Sequence, residues 1–81
     1  MEQDIEIIVK LKEGLLNPEA KTIERSLNLL GYKNVSQFDT ERVFLMKVDA
    51  PSAKEAEKYA DEMCRRILVN PVIEDYTIMV K

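Results

Sequence analysis

The chain has 81 residues, 46 % hydrophobic and 33 % charged, with a net charge of −3, no histidine and a single cysteine. That balance is too apolar for a disordered chain, and the length fits one domain spanning residues 1–81. The acidic charge argues against nucleic acid or an anionic membrane as partner. Residues Asp4 to Lys12 alternate, with Ile5, Ile7, Val9 and Leu11 on one side and Asp4, Glu6, Lys10 and Lys12 on the other. A period of two marks a half-buried strand. Asn17-Pro18 then supplies an N-cap and a proline suited to the first helical position. Ala20, Ile23, Leu27 and Leu30 recur at helical spacing, and Gly31 is placed to end the helix in the left-handed conformation, so a helix is predicted over 18–30. Tyr32 would fold back on Leu27.

Val35 to Phe38 and Arg42 to Val48 read as two strands, with Asp39, Thr40 and Glu41 as the turn between them. A second helix follows Pro51. Ser52 and Glu55 have the spacing of a capping box, and Ala56, Ala60, Met63 and Ile67 form the predicted buried stripe. Arg65 and Arg66 suit the negative end of the helix dipole. Pro71 biases Asn70 out of helical geometry, which leaves Val72 to Val80 as the last strand.

The predicted order is β-α-β-β-α-β. The simplest packing is α+β, with two helices on one face of a mostly antiparallel four-stranded sheet. A chain this short buries only about 60–65 % of its unfolded surface, so oligomerisation is a natural supplement. Helices can cover only one sheet face, yet Ile8, Val43 and Leu45 fall on the other. An apolar patch there predicts a homo-oligomer formed partly through that face.

Chemistry is conspicuous by the residues that are missing. Without histidine the commonest general base and metal ligand are gone. Gly14 and Gly31, the only glycines, belong to no phosphate-binding loop. Cys64, the one cysteine, can form no intrachain disulfide, and its place beside the apolar stripe makes it a core thiol rather than a nucleophile. Glu74 and Asp75 are neighbours on a strand and point to opposite faces, so they cannot share a proton. RNA-recognition domains have the same element order, but they need aromatic residues on the central strands and a basic surface. The N-terminus lacks the basic and apolar segments of a signal peptide, and no apolar run approaches the roughly 18 residues of a membrane span. Together with the lone cysteine this predicts a reducing, cytoplasmic setting.

The chain resembles the PurS family along nearly its whole length. The resemblance is carried by the opening strand Ile7-Ile8-Val9-Lys10-Leu11-Lys12, the turn Gly14-Leu15-Leu16-Asn17-Pro18 and the helix end Leu30-Gly31. The most specific stretch is Met63-Cys64-Arg65-Arg66-Ile67-Leu68-Val69-Asn70-Pro71-Val72-Ile73-Glu74-Asp75-Tyr76. The family usually has aspartate at the position of Asn17. Many members have Gln-Gly at Glu19-Ala20 and a Gly-Lys pair at Thr40-Glu41, so no contact at that last turn is carried over.

The resemblance implies the small, non-catalytic subunit of phosphoribosylformylglycinamidine (FGAM) synthase in de novo purine biosynthesis. That enzyme converts formylglycinamide ribonucleotide, ATP, glutamine and water to FGAM, ADP, phosphate and glutamate. ATP and magnesium would be used by a large ligase subunit and glutamine by a glutaminase subunit, with no cofactor or metal in this chain. Its partners would be itself, as a dimer or a tetramer, and those two subunits, which it would bridge in support of ammonia transfer. The contact residues expected are Asn70, Pro71, Glu74, Asp75 and Tyr76 at the last turn, with Ile8, Val43 and Leu45 on the outer sheet face. From another class, an amino-acid-sensing dimer of the ACT type has the same element order. Such modules bind ligand at a glycine-bearing loop after the first strand, where Gly14 stands.

Overall fold

A computed structural model describes residues 1–81. Its elements run β1 (Glu2–Leu11), α1 (Pro18–Leu29), β2 (Arg42–Asp49), α2 (Ala53–Met63), one π-helical turn (Cys64–Leu68) and β3 (Glu74–Val80). The sheet has three strands in the order β2-β1-β3, antiparallel on both sides of β1. Alternation in β1 sets the register: Ile7 stands opposite both Phe44 and Ile78, and Ile5 opposite Met46 and Val80. Ile5, Ile7 and Val9 are fully buried beneath Ala56, Ala60 and Cys64 of α2 and its π turn. Small residues on that helix stripe let its backbone sit close to the sheet. The α+β class, the antiparallel sheet and the two helices are as the sequence predicts.

The predicted strand at Val35 to Phe38 does not form, so the element order is β-α-β-α-β. Gln37 has a φ of 54°, in the left-handed region that breaks a strand. The Phe38 N–H donates to Glu24 Oε1 of α1 at 3.1 Å instead of entering a ladder. Asp39 and Thr40 make no hairpin turn either. Asn17 Nδ2 donates to Asp39 Oδ1 and to Thr40 Oγ1, both at 2.9 Å, which ties this loop to the start of α1. β2 is therefore left as a sheet edge.

Only α2 covers the sheet, lying over β1 and β3 more than over β2, while α1 makes no extensive contact with either sheet or α2. The molecule measures 51 × 24 × 15 Å with a radius of gyration of 16.3 Å. A compact domain of this length would have a radius near ~12 Å. Within α1 the local rules hold. The Ala20 N–H donates to Asn17 Oδ1 at 3.2 Å, with proline at the first position. Gly31 (φ 110°) closes the other end, where the Tyr32 N–H donates to the Leu27 carbonyl at 3.0 Å and the Gly31 N–H to that of Asn28 at 3.1 Å. The stripe nevertheless finds little to pack on: Ala20 is buried, Ile23 and Leu27 are half-buried, and Leu30 is 75 % exposed.

The predicted stripe of the second helix fails at Ile67, which is 81 % exposed. The Val69 N–H donates to the carbonyl of Cys64, five residues back, at 3.1 Å. This widened turn inserts a residue, so that Cys64 and Val69 take the buried places and Ile67 rotates outward. Ser52 caps α2 by accepting from the Glu55 N–H at 3.2 Å, although the return arm of the capping box does not form.

Candidate functional site

No three His, Cys, Asp or Glu side chains come close enough to hold a metal ion, and no buried side-chain polar atom lacks a partner. Cys64 is fully buried, and burial pushes its thiol above its ordinary pKa, with the Asp61 carboxylate adding to the rise. It is a core residue without a base. What the molecule offers instead is surface.

The outer sheet face is built by β1 residues that alternate away from α2. Ile8 stands opposite Val43 on one side and Thr77 on the other, and Glu6 lies between Leu45 and Met79 in the next row. Ile8, Val43 and Leu45 thus share one uncovered face, and Leu45 is 73 % exposed. Ion pairs frame the patch: Lys47–Asp4 at 2.7 Å, Lys81–Glu6 at 3.1 Å and Lys12–Asp75 at 3.4 Å. Such exposed pairs add little stability. In this geometry they place charge around Ile8, Val43 and Leu45.

The turn into β3 is held from within. Asn70 caps it, with its Oδ1 accepting from the Val72 N–H at 3.1 Å and its carbonyl accepting from the Glu74 N–H at 2.8 Å. Glu74 Oε1 accepts from the Asn70 N–H at 2.9 Å, and Glu74 Oε2 pairs with Arg42 Nη2 at 2.6 Å. The Asn70 N–H and then Arg42 hold the Glu74 carboxyl below its ordinary pKa. Tyr76 donates its hydroxyl to Asp61, which also pairs with Arg65 at 2.9 Å. That hydroxyl is the main reason Asp61 is held below its ordinary pKa, and the same bond raises the phenol of Tyr76. Glu74 and Asp75 point to opposite faces and pair with different cations. Asn70, Glu74 and Tyr76 therefore spend their polar groups within the turn and on α2 and β2, whereas Pro71 is exposed and Asp75, also exposed, reaches only Lys12.

Sequence reasoning missed the exposed large side chains at the two ends of α1: Leu15 and Leu16 before it, and Leu29, Leu30 and Tyr32 at its close. The doublets Leu15-Leu16 and Leu29-Leu30 carried the signal: the first lies in the loop before α1, outside any helical stripe, and the second closes the helix, where adjacent residues lie about 100° apart and one stripe cannot absorb both. Two positions where the resemblance departs, Asn17 and Thr40, also prove to be in contact. An aspartate at the first could not donate this hydrogen bond.

An α+β protein of one small sheet, without a catalytic constellation and with several uncovered apolar surfaces, is the class that the geometry defines. Residues 4–81 match the PurS family, described as phosphoribosylformylglycinamidine (FGAM) synthase, and the chain belongs to that family. It is 46 % identical over 76 residues to the FGAM synthase subunit PurS of Methanothermobacter thermautotrophicus, an alignment covering 94 % of this chain and 89 % of that one. The crystal structure of Methanocaldococcus jannaschii PurS, one of the subunits of formylglycinamide ribonucleotide amidotransferase in the purine biosynthetic pathway, superposes with a TM-score of 0.90. It is 40 % identical, and the match covers 100 % of this chain and 96 % of that one. A chain in the structure of PurLQS from Thermotoga maritima superposes with a TM-score of 0.91 at 25 % identity, covering 100 % and 99 %. As in those proteins, the fold is that of an FGAM synthase subunit.

Proposed function

We propose that this chain is the coupling subunit of a cytoplasmic FGAM synthase: it joins the ligase and glutaminase subunits so that ammonia released from glutamine reaches the amide activated by ATP. One observation carries the reading: a chain of the PurS family has most of its large aliphatic side chains outside its own core. The likeness to a chain of the PurLQS structure supports it. The mechanism is positional. Holding two active sites in one particle raises the effective concentration of the transferred ammonia without new chemistry. ATP and magnesium belong to the ligase subunit.

The subunit acts as an oligomer of itself. A 12-residue helix is marginal in water and needs its apolar face buried. α1 finds no such cover here, and the sheet beside β2 keeps Phe44 and Met46 only half-buried. The α1 of a second copy laid over that half of the sheet supplies both needs at once. The outer face of Ile8, Val43 and Leu45 and the turn of Asn70, Pro71, Glu74, Asp75 and Tyr76 remain for further contacts.

The test is amidation of formylglycinamide ribonucleotide by purified ligase and glutaminase subunits, with and without this chain. The coupling reading expects glutamine-driven turnover to depend on the chain and ammonia-driven turnover not to. Equal glutamine-driven rates in both mixtures would refute it.

A further inference from the structure

β2 is a sheet edge without the usual protection. It runs from Arg42 to Asp49 with no proline and no break in its register against β1. Natural edges are blunted by shortness, proline, bulges or free lysines, because an open row of N–H and C=O groups is a template for another strand. The lysine here, Lys47, is held by Asp4 of β1 at 2.7 Å. The opposite edge, β3, is overlain by α2, where Tyr76 donates its hydroxyl to Asp61.

The ladder shows which groups of β2 are open. One step beyond the Glu2–Asp49 pair, the Ala50 N–H donates to the Met1 carbonyl at 2.9 Å. Bonded and open residues alternate along an antiparallel strand. The even-numbered residues of β2 therefore bond to β1, while Val43, Leu45, Lys47 and Asp49 aim their backbone groups outward. On the face towards α2, Phe44 and Met46 are only half-buried.

We infer that this edge pairs with β2 of a second copy, antiparallel about a twofold axis through Met46, joining two three-stranded sheets into one. That register sets Leu45 opposite Lys47 and Val43 opposite Asp49, so every outward residue of both strands finds its backbone partners within β2. On the face towards α2 it sets Phe44 against Val48 and Met46 against Met46, an apolar row. The neighbouring registers are worse. An axis at Leu45 carries Asp49 past the end of the strand to face Glu41, and an axis at Lys47 opposes Lys47 to itself and Val43 to Pro51. Like charges directly opposite destabilise a pair, and proline has no N–H to give. The pairing rests on the self-association proposed above and names its contact: the joined margins form the wider apolar floor that α1 lacks.

Two variants test it. Leu45→Pro removes an outward N–H at a place where an edge strand tolerates proline. Its far-UV circular dichroism should match wild type, while light scattering gives half the wild-type mass. Met46→Cys brings two thiols to the axis at a non-hydrogen-bonded pair, with Cα atoms about 4.5 Å apart, and should form a disulfide between copies on mild oxidation. Phe44→Cys and Leu45→Cys, each on the axis of a different register, should not. The native Cys64 is buried and does not compete. Wild-type mass in a folded Leu45→Pro, or no cross-link in Met46→Cys, would overturn the edge pairing while self-association stands. A cross-link in Phe44→Cys or Leu45→Cys but not in Met46→Cys would overturn the register. A wild-type chain that is monomeric at micromolar concentration would overturn both the pairing and the oligomer.

Discussion

The two helices of this chain obey the same local rules and meet opposite fates. α2 starts at a serine cap, repeats small residues at Ala56 and Ala60, and lies on Ile5, Ile7 and Val9. α1 starts at an asparagine cap, ends in a glycine motif, and leaves Leu29 and Leu30 in water. Caps and periodicity determine that a helix forms. Whether it packs on its own sheet depends on the side chains that meet. Alanines at the contact let α2 approach closely, whereas the leucines of α1 need a wider apolar surface than the uncovered margin of a three-stranded sheet. α2 serves the fold, and α1, in the oligomer proposed above, serves assembly.

Substitutions on each side should separate these roles. The largest effect is expected inside the α2 half: Ile7→Ala removes a side chain with no exposure, and urea unfolding should show a loss of about 3 kcal/mol. Next, Leu30→Asp should leave far-UV circular dichroism of the sheet unchanged while light scattering shows a smaller particle, since a charge would enter a buried contact between copies. An unchanged mass would return α1 to the status of a free arm. Leu45→Glu asks the same of the outer face and should lower the mass by the same reasoning. If Leu30→Asp alone lowers it, the outer face belongs to another partner.

The smallest effect is in pH dependence, and it sits at the junction of α2 with β3. Glu74 and Asp61 are both held below their ordinary values of 4.5 and 3.8. A depressed folded-state pKa contributes stability above the unfolded value and loses it as pH falls through the folded one. Melting temperature should therefore decline as the medium is acidified below those values. Glu74→Gln should make the decline shallower, whereas Leu30→Asp should leave this limb in place. Cys64, raised above 9.0 by burial, gives the opposite limb: its contribution is complete below 9.0 and is lost as pH rises further.

Much of this was legible in one dimension. The alternation of β1 correctly sorted Ile5, Ile7 and Val9 from Ile8, and Asn17, Gly31 and Ser52 marked helix ends where they fall. Two elements were misread for reasons that no local rule contains. Val35 to Phe38 has strand composition, but Phe38 gives its N–H to Glu24, 14 residues earlier, and a strand so committed cannot join a ladder. Ile67 continues a helical period in the sequence, and one five-residue hydrogen bond from Val69 to Cys64 turns it outward.

The sequence by itself determined the two helices, the segments of β1, β2 and β3 and the inward set of β1. These follow from periodicity, capping and residue chemistry, which act over a few positions. Only the tertiary structure decided that the sheet stops at three strands, that α1 stands away from it, and that the turn after α2 is braced by Arg42 from a distant strand. Those outcomes rest on contacts between segments far apart in the chain, where packing volume and the competition for hydrogen-bond partners choose among arrangements that the local pattern allows equally.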